Sequence, residues 1–297
     1  MLPFPARAAG DGALKSLIVT ADDFGGAREI NEAVETAHKC GILTAASLMV
    51  GAPAAADAVA RARRLPSLRV GLHLVLVEGR PVLPAHDLPD LVDAEGHFRS
   101  DMLKIAIDMF TRPAARRQLA AEIAAQFEAF MGTGLALDHV NAHKHFHLHP
   151  TLAGQALEIG SRHGVKAMRV PVEPVRVLTR VEPGVNRSRA LLIAPWAALL
   201  RARARRYGLV VPDSVFGVVW SGAMVERRLT GLLTHLPEGM TEIYAHPAVS
   251  GSFEGAAPHY RYADELAALT APAVLAAARA SGARLGAFAD FAPITCG

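Results

Sequence analysis

Two carboxylates, Asp22 and Asp23, stand side by side in the stretch TADDFGGAREIN, directly after the apolar run SLIV. Adjacent acids at the end of a buried strand repel each other and are costly to desolvate. Asp is also what a turn or a helix N-cap uses, so the pair gains chemical meaning only from what else converges on it. Five of the 13 histidines lie in DHVNAHKHFHLHP, at His139, His143, His145, His147 and His149. All are at odd positions, so on an extended chain they share one face. A stretch this rich in imidazole is poor core material and points to metal binding. Same-face neighbours on a strand are about 6.6 Å apart, so one or two of them reach any single ion. Three further residues sit within or at the end of strand-like runs: His73 in VGLHLVLVEG, Arg169 in AMRVPVEP, and His246 in IYAHPAVSG, just before Pro247. Two adjacent acids become useful if one binds a cation and the other acts as a base, because the cation offsets their repulsion.

These side chains need a scaffold. The chain has 297 residues and is 51% hydrophobic, enough for one large domain with a buried core. Apolar runs at 16–20, 43–50, 68–76, 135–142, 165–171, 240–246 and 283–290 read as strands, and helical patterns lie between most of them. Ile30, Ala33, Val34 and Ala37 recur at helical spacing before Gly41, a candidate C-terminal cap. Leu119, Ile123, Phe127 and Phe130 do the same after Pro113, which suits a helix start. Such alternation implies a mostly parallel α/β sheet, either a distorted (β/α) barrel of about seven strands or an open doubly wound sheet. In both, active sites gather at the C-terminal ends of strands, where Asp22, Asp23, His73, His143, Arg169 and His246 fall. Residues 1–15 read as a flexible leader, and 16–297 as a single domain. Segments 77–111 and 172–222 break the rhythm and read as insertions.

Composition narrows the partners. A net charge of +3 does not argue for nucleic acid. Cys40 and Cys296 have no metal or redox spacing, which fits a reduced, cytoplasmic protein. No run of 18 uncharged apolar residues is present. Residues 190–211, ALLIAPWAALLRARARRYGLVV, join an apolar half around Trp196 to Arg201, Arg203, Arg205 and Arg206. That pairing suggests peripheral contact with the inner membrane, its arginines toward anionic lipid. A buried helix with a solvated basic end is the competing reading.

The motifs LIVTADDFG, VGLHLVL, NAHKHFHLHP, YAHPA and RLGAFADF resemble the YdjC-like carbohydrate deacetylases, distant relatives of the NodB-type polysaccharide deacetylases. Residues 42–84 resemble the hopanoid-biosynthesis-associated branch more closely. The resemblance implies a distorted barrel, one divalent ion, and removal of an N-acetyl group from a sugar, here an N-acetylglucosaminyl hopanoid glycolipid at a membrane surface. It implies Asp23, His73 and His143 as metal ligands, Asp22 as base and His246 as a catalytic proton donor. Arg169 would orient an acid or contact substrate, and His145 and His147 would line the substrate site. Asn141 and Lys144 depart from the family pattern, which often has Asp and His there. Two imidazoles and a carboxylate suit Zn²⁺, although the resemblance also allows Mg²⁺. Soluble chitooligosaccharides are the alternative substrate. A metallophosphoesterase and a non-catalytic metal- or sugar-binding protein are the other classes.

Overall fold

The computed structural model describes residues 15–292. The leader expected over 1–15, apart from Lys15, lies outside them, as does Cys296. Seven strands are formed: β1 (Lys15–Phe24), β2 (Ala45–Leu48), β3 (Arg69–Leu74), β4 (Leu137–Ala142), β5 (Ser214–Phe216), β6 (Gly239–Ala245) and β7 (Arg284–Gly286). Every strand pair is parallel, in the order β4-β3-β2-β1-β6-β5, and β7 pairs the first half of β1. The helices are α1 (Arg28–Cys40), α2 (Ala55–Arg63), α3 (Met102–Thr111), α4 (Pro113–Gly132), α5 (Pro150–Arg162), α6 (Val175–Val181), α7 (Ser188–Arg206), α8 (Glu226–Thr234), α9 (Tyr262–Thr270), α10 (Pro272–Ala280) and α11 (Phe288–Phe291).

The curled sheet is a distorted barrel. The expected strand at 165–171 is not a regular strand: it bridges the two sheet edges. Val140 of β4 accepts from Arg169 N and donates to Ala167 O, while Val172 O accepts from Val215 N of β5. Its proline-flanked sequence, MRVPVEP, cannot sustain a continuous ladder. The three-residue strand β5, inside the segment read as an insertion, went unread because SVF between Pro212 and Gly217 is too short to carry a period.

β1 shows why the sheet is central. Leu17, Ile18, Val19, Thr20 and Ala21 are all fully buried, as expected for a parallel strand covered on both faces. α1 buries Ile30, Val34 and Ala37, and α4 buries Leu119, Ile123, Phe127 and Phe130. Each such large side chain contributes about 1.5–3 kcal/mol of burial. Pro113 begins α4. Gly41 caps the end of α1, where only glycine fits because a Cβ would sit 2.3 Å from Leu269 O.

Three buried glutamates hold the loops at the rim. Glu122 of α4 accepts from Val82 N and Leu83 N. Glu173 accepts from Gly217, Val218 and Val219 N. Glu265 of α9 accepts from Met224 N and His246 N. Carboxylates bonded to amide donors in this way order chain that has no ladder of its own.

One face of the apolar half of α7 is buried, through Ala190, Ala197 and Leu200, and another, bearing Leu191, Leu192, Trp196 and Leu199, is exposed, so the helix is not buried on all sides. Three of the four arginines at its end turn back to the protein, Arg205 by a 3.9 Å ion pair with Asp213. Arg201 donates to Pro212 O and Asp213 O, and Arg203 donates to Pro150 O. Among the described residues, no helix is long and apolar enough to cross a membrane.

Candidate active site

Asp22 and Asp23 close β1, but their side chains part. Asp23 has φ +61°, a left-handed conformation that costs a non-glycine residue of order 1 kcal/mol or more. Asp23 there meets His73 from β3 and His143 from just after β4. One ligand atom from each lies within 4.8 Å of the others. His73 Nε2 is 3.2 Å and His143 Nδ1 3.0 Å from Asp23 Oδ1.

The donor set fits a divalent cation. His73 Nδ1–H donates to Asn141 Oδ1 at 2.7 Å, which turns the Nε2 lone pair toward Asp23. That nitrogen is buried and has no hydrogen-bond partner. An imidazole whose far nitrogen is fixed by an oxygen acceptor is the usual arrangement of a metal ligand. Burial would raise the Asp23 carboxyl, but the charge and hydrogen bond of His143 hold it well below the usual carboxylate range. Burial alone would lower His143, and the Asp23 carboxylate raises it instead.

Asp22 faces the other way. Arg169 grips it with two nitrogens, Nη1 to Oδ2 at 2.5 Å and Nη2 to Oδ1 at 3.0 Å. Asn141 Nδ2 donates to Asp22 Oδ1 at 3.2 Å. Burial would raise this carboxyl, yet the Arg169 guanidinium, with His73, holds it far below its ordinary value. Asp22 is therefore an ionised acceptor across the working pH range. Any acidic limb it gives to a rate profile lies below that of an ordinary carboxylate.

The expectation that Arg169 contacts substrate is corrected. It is fully buried. Its Nε and Nη2 bond Glu242 Oε1 at 2.9 and 2.6 Å, and its remaining donors hold Asp22. It orients the acid. His147 is also enclosed: its Nε2–H donates to Arg169 O at 3.0 Å, and burial pushes its imidazole down to about 4. It supports the Arg169 backbone rather than lining a substrate surface. His145 Nε2 pairs with the Tyr244 hydroxyl at 2.7 Å, and burial with the nearby Arg169 charge holds it well below its ordinary value.

The one-face row of histidines does not form, because β4 stops at Ala142. Lys144 and His145 take φ values of +53° and +54°, and residues 143–148 wind into a 3₁₀ turn. His139 stays on the strand, fully buried, bonding Asp138 and Ser47. His149 packs on Phe110 of α3 at 4.4 Å between rings. His246 lies at the end of β6, its backbone held by Glu265 and its ring 5.0 Å from that of Tyr260. Two residues escaped sequence reasoning, Glu242 and Tyr244 of β6; Asn141, read from the sequence only as a departure from the family pattern, links His73 to Asp22. Tyr244 lies under the Arg169 guanidinium at 4.4 Å. Asn141 pairs with His73 in register.

A cavity of about 740 Å³ opens beside Asp23 and His143, within the size of small-molecule sites. Its walls include Met49, Val75, Phe98, Phe253 and Tyr262, with Arg28, Glu78 and Arg80 also lining it.

A distorted parallel barrel with an Asp–His–His cluster and an arginine-held acid at its strand ends belongs to the class of α/β proteins that do their chemistry at the C-terminal rim. Within that class, the chain belongs to the YdjC-like protein family, whose model matches residues 16–280. It is 29% identical over 279 residues to a carbohydrate deacetylase of Geobacillus stearothermophilus, covering 92% of this chain and 97% of that one. A carbohydrate deacetylase of Brevibacillus brevis is 38% identical over 158 residues, 52% of this chain and 58% of that one. The crystal structure of an Enterococcus faecalis protein, whose name refers to cellobiose-phosphate cleavage, superposes with TM-score 0.74 at 25% identity. It covers 94% of this chain and 100% of that one.

Proposed function

We propose that this protein is a metal-dependent carbohydrate N-deacetylase. The observation that carries the reading is the Asp23–His73–His143 cluster beside an ionised, arginine-held Asp22, at the wall of a cavity of sugar-accommodating size. Relatives named carbohydrate deacetylases support it. Asp23, His73 and His143 would hold one divalent ion, with Zn²⁺ favoured by two nitrogen ligands. Such an ion supplies Lewis-acid polarisation of an amide carbonyl and of water. Asp22, fixed in direction by Arg169 and Asn141, accepts the proton of the attacking water. His246 hands a proton to the departing amine. Tyr244 and His145 hold the wall behind Arg169.

The finer substrate reading is an N-acetylglucosaminyl hopanoid, processed at a membrane surface. It is supported by the resemblance of residues 42–84 to the hopanoid-associated branch, and by exposed apolar side chains on α3 and α7. Soluble chitooligosaccharides are the alternative substrate and call for the same chemistry.

The test is acetate release by chelator-stripped protein reloaded with Zn²⁺ or Mg²⁺. The substrates are the glycosylated hopanoid, chitobiose and a phosphodiester. Acetate from the hopanoid substrate well above that from chitobiose supports the full reading, and the reverse order moves the substrate to soluble oligosaccharides. Metal-loaded protein that releases no acetate from either overturns the deacetylase.

A further inference from the structure

Exposed apolar side chains are unevenly distributed on this molecule. Of the ten large exposed ones among the described residues, seven lie on two helices: Leu103, Ile107 and Phe110 on α3, and Leu191, Leu192, Trp196 and Leu199 on α7. The two helices carry the same pattern. Leu103, Ile107 and Phe110 are spaced i, i+4, i+7, and so are Leu192, Trp196 and Leu199, which makes each set a stripe on one helix face. The opposite faces pack inward, through Ile105 and Met109 of α3 and through Ala190, Ala197, Leu200 and Ala204 of α7. Each helix is thus apolar on both sides but covered on one. The exposure is large: 72% for Leu103, 74% for Leu192 and 47% for Trp196.

Both stripes flank the segment that bears His143. Phe110 packs on His149, and Arg203 of α7 holds Pro150 O. Ile193 packs against the cluster of Val215, Val218 and Tyr244, which ties the start of α7 to the wall of the site. α3 follows β3, and α7 follows the bridging segment 167–172.

We infer that the stripes of α3 and α7 together seat this protein on an anionic lipid bilayer, with the site facing the headgroups. Charge decides the occupant. α7 has five arginines and no acid, and Arg187 and Arg189 at its start are exposed with no ion pair to any described residue. A second copy related by a two-fold axis would set this basic helix against itself, whereas anionic headgroups complement it. Trp196 has the amphipathic ring that suits the interfacial layer. The contact differs from the one expected from sequence. The first half of α7 and the whole outer face of α3 do the docking, while Arg201 and Arg203 are engaged by the protein's own carbonyls.

The inference extends the glycolipid reading, but its test uses vesicles without sugar, so docking and deacetylation fail separately. Wild-type protein is mixed with phosphatidylglycerol–phosphatidylcholine vesicles and with pure phosphatidylcholine vesicles, and binding is read by sedimentation. A Trp220→Phe background reports Trp196 fluorescence alone, since the chain has two tryptophans. Binding to the anionic vesicles with a blue shift of Trp196 is expected. It should fall by about tenfold or more in Leu192→Gln/Trp196→Gln, and separately in Leu103→Gln/Ile107→Gln. These positions are solvent-exposed, so circular dichroism should show both variants folded. Wild-type protein that ignores anionic vesicles overturns the inference. So does binding that the stripe variants leave unchanged, or a wild-type dimer in solution that the same variants convert to monomer.

Discussion

Asp22 and Asp23 are neighbours in sequence and belong to two regions of opposite character. Around Asp22, hydrogen-bond donors converge: the fork of Arg169 and the amide of Asn141, backed by Glu242 and by Thr20, whose hydroxyl donates to Glu242 at 2.8 Å. Around Asp23, two imidazoles converge whose nitrogens can turn lone pairs to a cation once His143 gives up its proton, and the cavity lies alongside. The first surrounding fixes an ionised acceptor in place. The second leaves three electron-pair donors close together and wanting a cation. Which of these a carboxylate becomes depends on whether its neighbours bring protons or lone pairs.

The sharpest way to break this contrast is on the cation side. His73→Ala should lose both bound metal, read by elemental analysis, and acetate release, to below detection. His145→Ala should keep its metal, because Tyr244, not the ligand cluster, holds that ring. Equal metal content in wild type and His73→Ala would erase the distinction between the two regions.

On the ion-pair side the effect should be large but separable. Asp22→Asn should retain metal while kcat falls by about 10²–10⁴-fold, the usual worth of a general base. Arg169→Met leaves Asp22 and Glu242 buried without their shared cation, and should cost about 3–5 kcal/mol in urea unfolding. It should also change the pH profile in a defined direction. Arg169 holds the Asp22 carboxyl down against burial, so its removal lets burial raise it, and the acidic limb of kcat/KM should move upward. An acidic limb unmoved in folded Arg169→Met would remove Asp22 from the base role.

The smallest effect is expected at Glu173, a buried acid in neither region. Burial raises its carboxyl from 4.5 to about 7, against three backbone N–H bonds. Between those two values the folded protein keeps a proton that the unfolded chain has lost, so this group's contribution to stability falls as pH rises. Glu173→Gln should flatten that part of the Tm-against-pH curve and leave metal content unchanged. A slope as steep as in wild type would assign the titration to another group.

The parts of this molecule legible in advance were those written in local pattern. Apolar runs marked six of the seven strands, and strand ends marked Asp22, Asp23, His73, His143 and His246. The histidine row misled because period two holds only while the chain stays extended, and Lys144 and His145 leave that conformation. The exposed face of α7 was ambiguous for a related reason. A helix apolar all round does not say which side the rest of the fold will cover.

By itself, the sequence determined that parallel strands alternate with helices, and that acids and imidazoles would arrive together at one rim, because side-chain periodicity and strand direction are local properties. Only the tertiary structure decided that Arg169 is buried between Asp22 and Glu242, that Asn141 aims His73, and that Glu122, Glu173 and Glu265 fasten loops about 40 residues away in the chain or, for Glu265 and His246, 19. Those bonds join donors and acceptors that only the folded sheet and its helices bring into one water-poor interior. There, each buried charge must find a partner, and no local pattern says which one it will be.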